Sequence, residues 1–240
     1  MTGSIVSPAM RDRVRGLATP IATALGRFGL TPNALTVIGF LGTCVAAYAA
    51  AIQWWLAAGI LVLAFGIFDL FDGTLARTTG RATKLGAFLD STFDRAGEAT
   101  VYIGIAIGSM AAGFANGAIL AAAAMAGSFM VSYTRAKSES LGFSSGTGLA
   151  SVGLAPREVR IAILAIGLIV TGSIGALSDL DACAVDPVTG VISACRFGPF
   201  QWPHVTGATV LASTLGLIAV LAIITTIQRV LHVRSQAKEG

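Results

Sequence analysis

The sequence predicts an all-α integral membrane protein of six spanning helices, led by an N-terminal amphipathic interfacial helix, with both termini cytoplasmic. Three observations carry this prediction. Of 240 residues, 55% are hydrophobic and 12% are charged, whereas an ordinary soluble domain carries roughly 25% charged residues. The apolar residues gather in stretches at 34–52, 54–68, 101–133, 159–177 and 207–227, and a spanning helix needs about 20 mostly apolar residues. The basic residues, finally, collect on one side of the scheme those stretches impose. No soluble domain of useful size fits between them, so residues 1–240 read as one membrane domain.

Residues 1–30 lack the unbroken apolar run of about 7 to 15 residues and the small-residue cleavage site of a signal peptide. Arg11, Arg13, Arg15 and Arg27 alternate there with Val14, Leu17, Ile21, Leu25 and Phe28, which suits a juxtamembrane helix on an anionic lipid surface. For residues 1–14 a solvated basic tail is the plainer alternative. The spanning helices are expected at about 32–52, 54–78, 84–110, 114–139, 156–176 and 205–230. The connector "AIQWW" carries interfacial aromatics and "RTTGRATK" three cations; "SESLGFSSGTGLASVGLAPRE" reads as a Gly/Ser-rich loop, and 178–204 as an extracytoplasmic loop. Trp54, Trp55 and Trp202 fit the outer interface.

Cations near the termini, at 77–84 and from Arg135 to Arg160 share one side, and only Arg196 falls clearly on the other. The positive-inside rule then puts both termini and the second and fourth connectors in the cytoplasm. The net charge of +4 thus reports topology and lipid contact, and gives no ground for nucleic-acid binding. Without a CxxC or a Cys/His cluster, zinc and thiol chemistry are set aside. Cys44 reads as packing, His204 and His232 as isolated interfacial residues. Cys183 and Cys195 would pair in an oxidising compartment or stay free thiols.

The chemistry concentrates in "DLFDGTLARTTGRATKLGAFLDSTFD". Asp69, Asp72 and Ala76 are spaced i, i+3, i+7 on one helix face, and Gly86, Asp90 and Asp94 recur every fourth residue on the next. Two helices joined by a short connector pack antiparallel, so the two faces can oppose. An Asp at the centre of a spanning helix costs roughly 2.5 to 3.5 kcal/mol, and four like charges also repel one another. A divalent cation removes both penalties, and carboxylates without His or Cys select a hard ion, Mg²⁺ or Mn²⁺. The alternative is a salt-bridged hairpin in which Arg77, Arg81, Lys84 and Arg95 pair the acids. It leaves unexplained why Gly73, Ala76 and Gly86 clear side-chain volume beside them.

The pattern Asp69-x-x-Asp72-Gly73-x-x-Ala76-Arg77, eight residues, Gly86-x-x-x-Asp90-x-x-x-Asp94 resembles, at every fixed position, the signature of the CDP-alcohol phosphotransferases, membrane enzymes of phospholipid synthesis. Chain length, six helices and the "LTPNALTVIG" stretch at 30–39 extend the resemblance, which leaves out 178–204. It implies transfer of a substituted phosphate from a CDP-linked donor to an alcohol with release of CMP. By matching position, Asp69, Asp72, Asp90 and Asp94 would be metal ligands, with Asp94 also the catalytic general base. Gly73, Ala76 and Arg77 would hold cytidine and diphosphate together with Asp69, Thr31, Pro32, Asn33 and Thr83. "LTPN" fits simple helix capping equally well.

CDP-diacylglycerol is the expected donor. Arg135 and Lys137 end the fourth helix and Arg157 and Arg160 begin the fifth, where they could grip a phosphorylated polar acceptor; positive-inside topology and lipid headgroups are the alternative explanation. Within the family this layout resembles the bacterial phosphatidylinositol-phosphate synthases. Glycerol 3-phosphate, the acceptor of phosphatidylglycerophosphate synthases, remains the competing acceptor. From another class, a cation-coupled transporter would also place acids in a membrane, but no inverted repeat is visible. Glu98 reads as a hydrogen-bond partner behind Asp94 or as an ion-pair partner of Arg95. The small residues of "AIGSMAAGFANGAILAAAAMAGS" suit either packing within the chain or a homodimer face; because members of the family are dimeric, a homodimer is expected.

Overall fold

The computed structural model describes residues 19–143, 153–175, 183–185, 192–195 and 206–239. Residues 1–18, with Arg11, Arg13 and Arg15, lie outside these, as do 144–152 of the Gly/Ser-rich loop and most of 178–204. Helix α1 is described over 19–27, followed by α2 (Pro32–Ala51), α3 (Trp55–Thr78), α4 (Lys84–Ala111), α5 (Ala115–Ser140), α6 (Arg157–Ile174) and α7 (Gly207–Glu239). The expected spans and α2 to α7 coincide within a few residues, except that α7 runs nine residues beyond 230, through a polar end that still forms helix. Thr31 starts α2 by accepting from the Ala34 N–H at 3.2 Å, with Pro32 in the first turn, and Thr83 starts α4 by accepting from the Gly86 N–H at 2.9 Å. Gly80, in the left-handed region at φ 66°, ends the turn after α3.

One departure from the all-α expectation lies in the long loop, where β1 (Cys183–Val185) pairs antiparallel with β2 (Ile192–Cys195). Val185 and Ile192, both β-branched, favour extended backbone. The register sets Cys183 opposite Cys195; their side chains lie outside what is described.

Each long helix packs chiefly on two others, and the contacts close a ring in the order α2, α3, α6, α7, α5, α4. Among the described residues, four helices are long and apolar enough to cross a membrane: Pro32–Ala51, Trp55–Thr78, Ala115–Ser140 and Gly207–Ala237. Helix α6 carries three charges in its first turn, and α4 carries Asp90, Asp94, Arg95 and Glu98 between its start and its middle, too many for either to join them. Val37, Leu41, Val45 and Tyr48 form an exposed stripe on α2, matched by Ile103, Ile107 and Met110 on α4 and by Leu217, Val220 and Ile224 on α7. Large apolar side chains left outside at helical spacing are what a lipid solvent covers.

The interior is built from small residues and a few large ones. Ala46, Ala50, Trp55, Ala58, Tyr102, Ile105, Ala121, Ala124, Leu168, Leu211 and Leu215 form the main core. On α4, a Cβ at Gly104 would strike the Ala47 carbonyl and one at Gly108 the Ala50 carbonyl, so these glycines let α4 and α2 meet backbone to backbone. The small residues Gly117, Ala121, Ala124 and Ser128 of α5 are likewise buried inside the single chain, while Ala122, Ala123 and Ala126 of the same stretch are exposed. A smaller cluster of Ala22, Leu35 and Leu75, flanked by Leu25 and Phe71, seats α1 against the bundle, while Ile21 and Phe28 stay exposed.

Candidate active site

At the end of the ring where α3 turns into α4, the two aspartate faces oppose each other. Carboxylate oxygens of Asp69, Asp72 and Asp90 lie within 4.8 Å of one another. Asp72 is buried, and its Oδ2 accepts from the Thr36 hydroxyl of α2 at 2.7 Å. Asp69 accepts at Oδ2 from Arg157 Nη1 at 2.6 Å, and Asp94 Oδ1 forms an ion pair with Arg157 Nη2 at 2.8 Å. One guanidinium from the start of α6 thus spans an acid from α3 and an acid from α4. Arg95 Nη2 stands 3.6 Å from Asp94 Oδ2.

Oxygen ligands alone, three within coordination reach and none from His or Cys, fit a hard divalent ion such as Mg²⁺ or Mn²⁺. Asp69, Asp72 and Asp90 would hold it. Asp94 is not in that group: its oxygens face Arg157 and Arg95, next to the three acids.

The expected donor residues fall into two neighbourhoods. Gly73 lies against the Arg77 guanidinium, and a Cβ there would come within 3.4 Å of Nη1; Arg77 Nη2 also donates to Thr74 Oγ1 at 3.3 Å. Half-buried Ala76 is on the same helix end. Asn33 Oδ1 and Thr83 Oγ1 both border Gly86, at 3.2 and 3.1 Å from where its Cβ would stand. Gly86 therefore lets the starts of α2 and α4 converge, bringing Thr31, Pro32, Asn33 and Thr83 to one corner.

The expected acceptor cations divide. Arg157 joins the acids. Arg160, three residues on, is 1% exposed and committed to Glu98 at 3.1 Å and to the Ala155 carbonyl at 3.0 Å. Arg135 is exposed and paired with Glu139 at 2.8 Å, and Lys137 is exposed on the same helix end. Glu98 is buried and accepts from Arg95 Nη1 at 3.1 Å as well as from Arg160, so it is an ion-pair partner of Arg95, and its second partner is Arg160 rather than Asp94. Sequence reasoning missed Thr36 and Arg229. Arg229, buried in α7, donates to the Val131 carbonyl and feels the charges of Arg135 and Arg160. A lone cation inside "TTIQRVL" was the available signal, since ionisable residues in apolar helices mark functional interiors.

Thr36, Asp69, Asp94, Glu98 and Arg157 help line one cavity inside the ring, whose walls mix these polar groups with Phe40, Phe65, Phe93 and Val101.

Comparison with known proteins agrees with this geometry. An archaetidylinositol phosphate synthase of Pyrococcus horikoshii is 39% identical over 157 residues, 65% of this chain and 79% of its own. A phosphatidylinositol phosphate synthase of Streptomyces avermitilis is 33% identical over 230 residues, 92% of this chain and 80% of its own. The crystal structure of Mycobacterium tuberculosis phosphatidylinositol phosphate synthase with CDP-DAG bound superposes with a TM-score of 0.67 at 29% identity, covering 90% of this chain and 92% of that one. The same enzyme in complex with manganese and citrate gives a TM-score of 0.66 at 27% identity, covering 91% and 89%. The family model for CDP-alcohol phosphatidyltransferase matches residues 29–235, which include all eight signature positions: the chain belongs to the CDP-alcohol phosphatidyltransferase family and is a transferase.

Proposed function

We propose that the chain transfers the phosphatidyl group of CDP-diacylglycerol to a hydroxyl of a phosphorylated polar alcohol, inositol phosphate foremost, releasing CMP at the cytoplasmic face of a membrane. The observation that carries this reading is Arg157, a cation shared between Asp69 and Asp94 at 2.6 and 2.8 Å. It puts a phosphate-binding group beside the acids that would hold the metal and take the proton. The names of the relatives, synthases of phosphatidylinositol phosphate and archaetidylinositol phosphate, favour inositol phosphate over glycerol 3-phosphate. Membership in a transferase family sets the transporter reading aside.

Asp69, Asp72 and Asp90 would hold the metal, Mg²⁺ or Mn²⁺, which when bound neutralises charge on the diphosphate. Thr36 fixes the rotamer of Asp72. Gly73 lets the nucleotide approach the α3 backbone, Arg77 offers a cation beside it, and Asn33 and Thr83 offer polar groups from the α2 and α4 starts. Asp94 takes the proton of the acceptor hydroxyl as its oxygen attacks the phosphorus, and the bond to CMP breaks. Arg157 meets the acceptor's phosphate, with Arg135 and Lys137 drawing it in from the same end.

The cytoplasmic orientation is the reading that the positive-inside rule supports, from Arg77, Arg81, Lys84, Arg135, Lys137, Arg157 and Arg160, if all six long helices cross the membrane. A homodimer is carried over from the family. Release of CMP from CDP-diacylglycerol by the purified protein, with inositol 1-phosphate, glycerol 3-phosphate, inositol and serine compared side by side, tests the proposal. Turnover highest with inositol 1-phosphate and dependent on divalent metal is the expected result; no release with any of the four would sink it.

A further inference from the structure

Arg157 occupies its position without a side-chain cap to help it. Pro156 precedes α6 and offers no capping side chain, so the helix start must be fixed some other way. Arg160 supplies the means. Its Nη1 donates to the carbonyl of Ala155, the residue before Pro156, at 3.0 Å, while Nε and Nη2 donate to Glu98 Oε1 at 3.3 and 3.1 Å. Ala155 is tied from its other side, its N–H donating to Thr225 Oγ1 of α7 at 3.0 Å. Glu98, one turn below Asp94 on α4, also accepts from Arg95. The link therefore runs from α4 through a buried carboxylate and guanidinium to Ala155, the second residue before α6.

We propose that Glu98 and Arg160 are positioning residues for the transfer: their buried pair fixes where α6 begins and so holds the Arg157 guanidinium across Asp69 and Asp94. This rests on the reading of the site given above. Arg160 is too deeply covered to meet an acceptor, and its planar fork, which binds Glu98 through two nitrogens while a third reaches Ala155, is a geometry that lysine cannot reproduce. A guanidinium held between two carboxylates on different helices has little tolerance for displacement, because a shift of about 1 Å in a positioning element can cost on the order of 10²-fold in rate.

The test is a double-mutant cycle in the full-length protein, with Glu98→Gln, Arg157→Ala and the pair combined, and two readouts: Mn²⁺ affinity from electron paramagnetic resonance, and kcat and KM for transfer to inositol 1-phosphate, followed by CMP release. Removing the cation from Asp69 should tighten Mn²⁺ binding about fivefold in Arg157→Ala. Glu98→Gln should shift it the same way, raise the acceptor KM about tenfold and leave the donor KM unchanged. In the Arg157→Ala background, Glu98→Gln should add less than about twofold to either readout, since residues acting through one group are not additive. Full additivity, or a Glu98→Gln protein identical to wild type, would overturn the proposal. Should Glu98→Gln not fold, Arg160→Lys carries the same expectations and the same criterion. If the wild type transfers to no acceptor, the functional reading fails while the Mn²⁺ cycle still decides whether Glu98 acts through Arg157.

Discussion

Where α3 turns into α4, the helices are joined through carboxylates and a shared guanidinium; at the other end of the ring, α2 and α4 meet backbone to backbone at Gly104 and Gly108. In lipid there is no hydrophobic drive to bring helices together, so association depends on close packing and on satisfied polar groups. The far end uses the first, around Trp55, Tyr102, Ile105 and a lattice of alanines. The site end uses the second, and its polar groups are incompletely matched to one another: three acids converge within 4.8 Å, which is unfavourable until a cation joins them. Stability supplied at one end allows the other to keep charges in an arrangement suited to a ligand. Substitutions at the two ends should therefore fail in different ways.

The largest effect is expected from Asp90→Asn. It removes one of three converging carboxylates while keeping side-chain size, and CMP release should fall on the order of 10³-fold, as loss of a unit of the catalytic constellation does. Mn²⁺ binding should weaken with it. The thermal midpoint in detergent should hold or rise, because a like-charge repulsion is relieved. A variant that keeps its turnover would break the metal reading; one that loses both turnover and fold would break the contrast between the ends.

Gly104→Leu is the complementary change. A side chain there must displace the Ala47 carbonyl, and overpacking of a close helix contact costs about 1 to 3 kcal/mol or more. The midpoint should drop by several degrees, about 4 °C or more, while the fraction that stays folded turns over at the wild-type rate and binds Mn²⁺ normally. Loss of turnover in folded protein would show that the far end tunes the site as well as supporting it.

The same contrast explains what the sequence could reveal. The helices were legible because long apolar runs are bounded by Thr31 and Thr83, whose hydroxyls cap the turns that follow, and the acids were legible because a fixed residue spacing fixes a helix face. Identities at one spacing do not fix which neighbour a face meets. Arg157 and Arg160 look alike in "PREVR", yet three residues along a helix is a turn of about 300°, enough to send one guanidinium to Asp69 and Asp94 and the other to Glu98. The pairing of β1 and β2 was hidden in a loop of mixed composition, and Arg229 escaped because a single cation near the end of the last apolar run reads equally well as positive-inside topology. Thr36 was out of reach of local reasoning altogether: it lies 36 residues from Asp72 in the chain, and nothing in "NALTVIG" marks one threonine of an apolar helix as the partner of an acid.

Thr36 also gives the smallest and sharpest test. It is 8% exposed, and its hydroxyl lies 2.7 Å from Asp72 Oδ2 and 3.2 Å from the Pro32 carbonyl of its own helix. A hydroxyl has one proton to donate, and the shorter, charge-assisted bond is the stronger. Thr36→Val keeps the shape of the side chain and its packing against α3 but leaves Asp72 to choose its own rotamer. Partners that orient a metal ligand are worth about 10- to 100-fold in affinity, and because Asp72 stays buried between α2 and α3 the lower figure is expected: Mn²⁺ affinity about tenfold weaker, with the midpoint close to wild type. At saturating Mn²⁺ turnover should return nearly to the wild-type rate, and Thr36→Ser should restore affinity without added metal. Turnover that stays depressed at saturating metal would mean that the Thr36 bond serves the nucleotide directly, and would move the border between the packed and the chemical regions of α2 one turn deeper, toward Gly39.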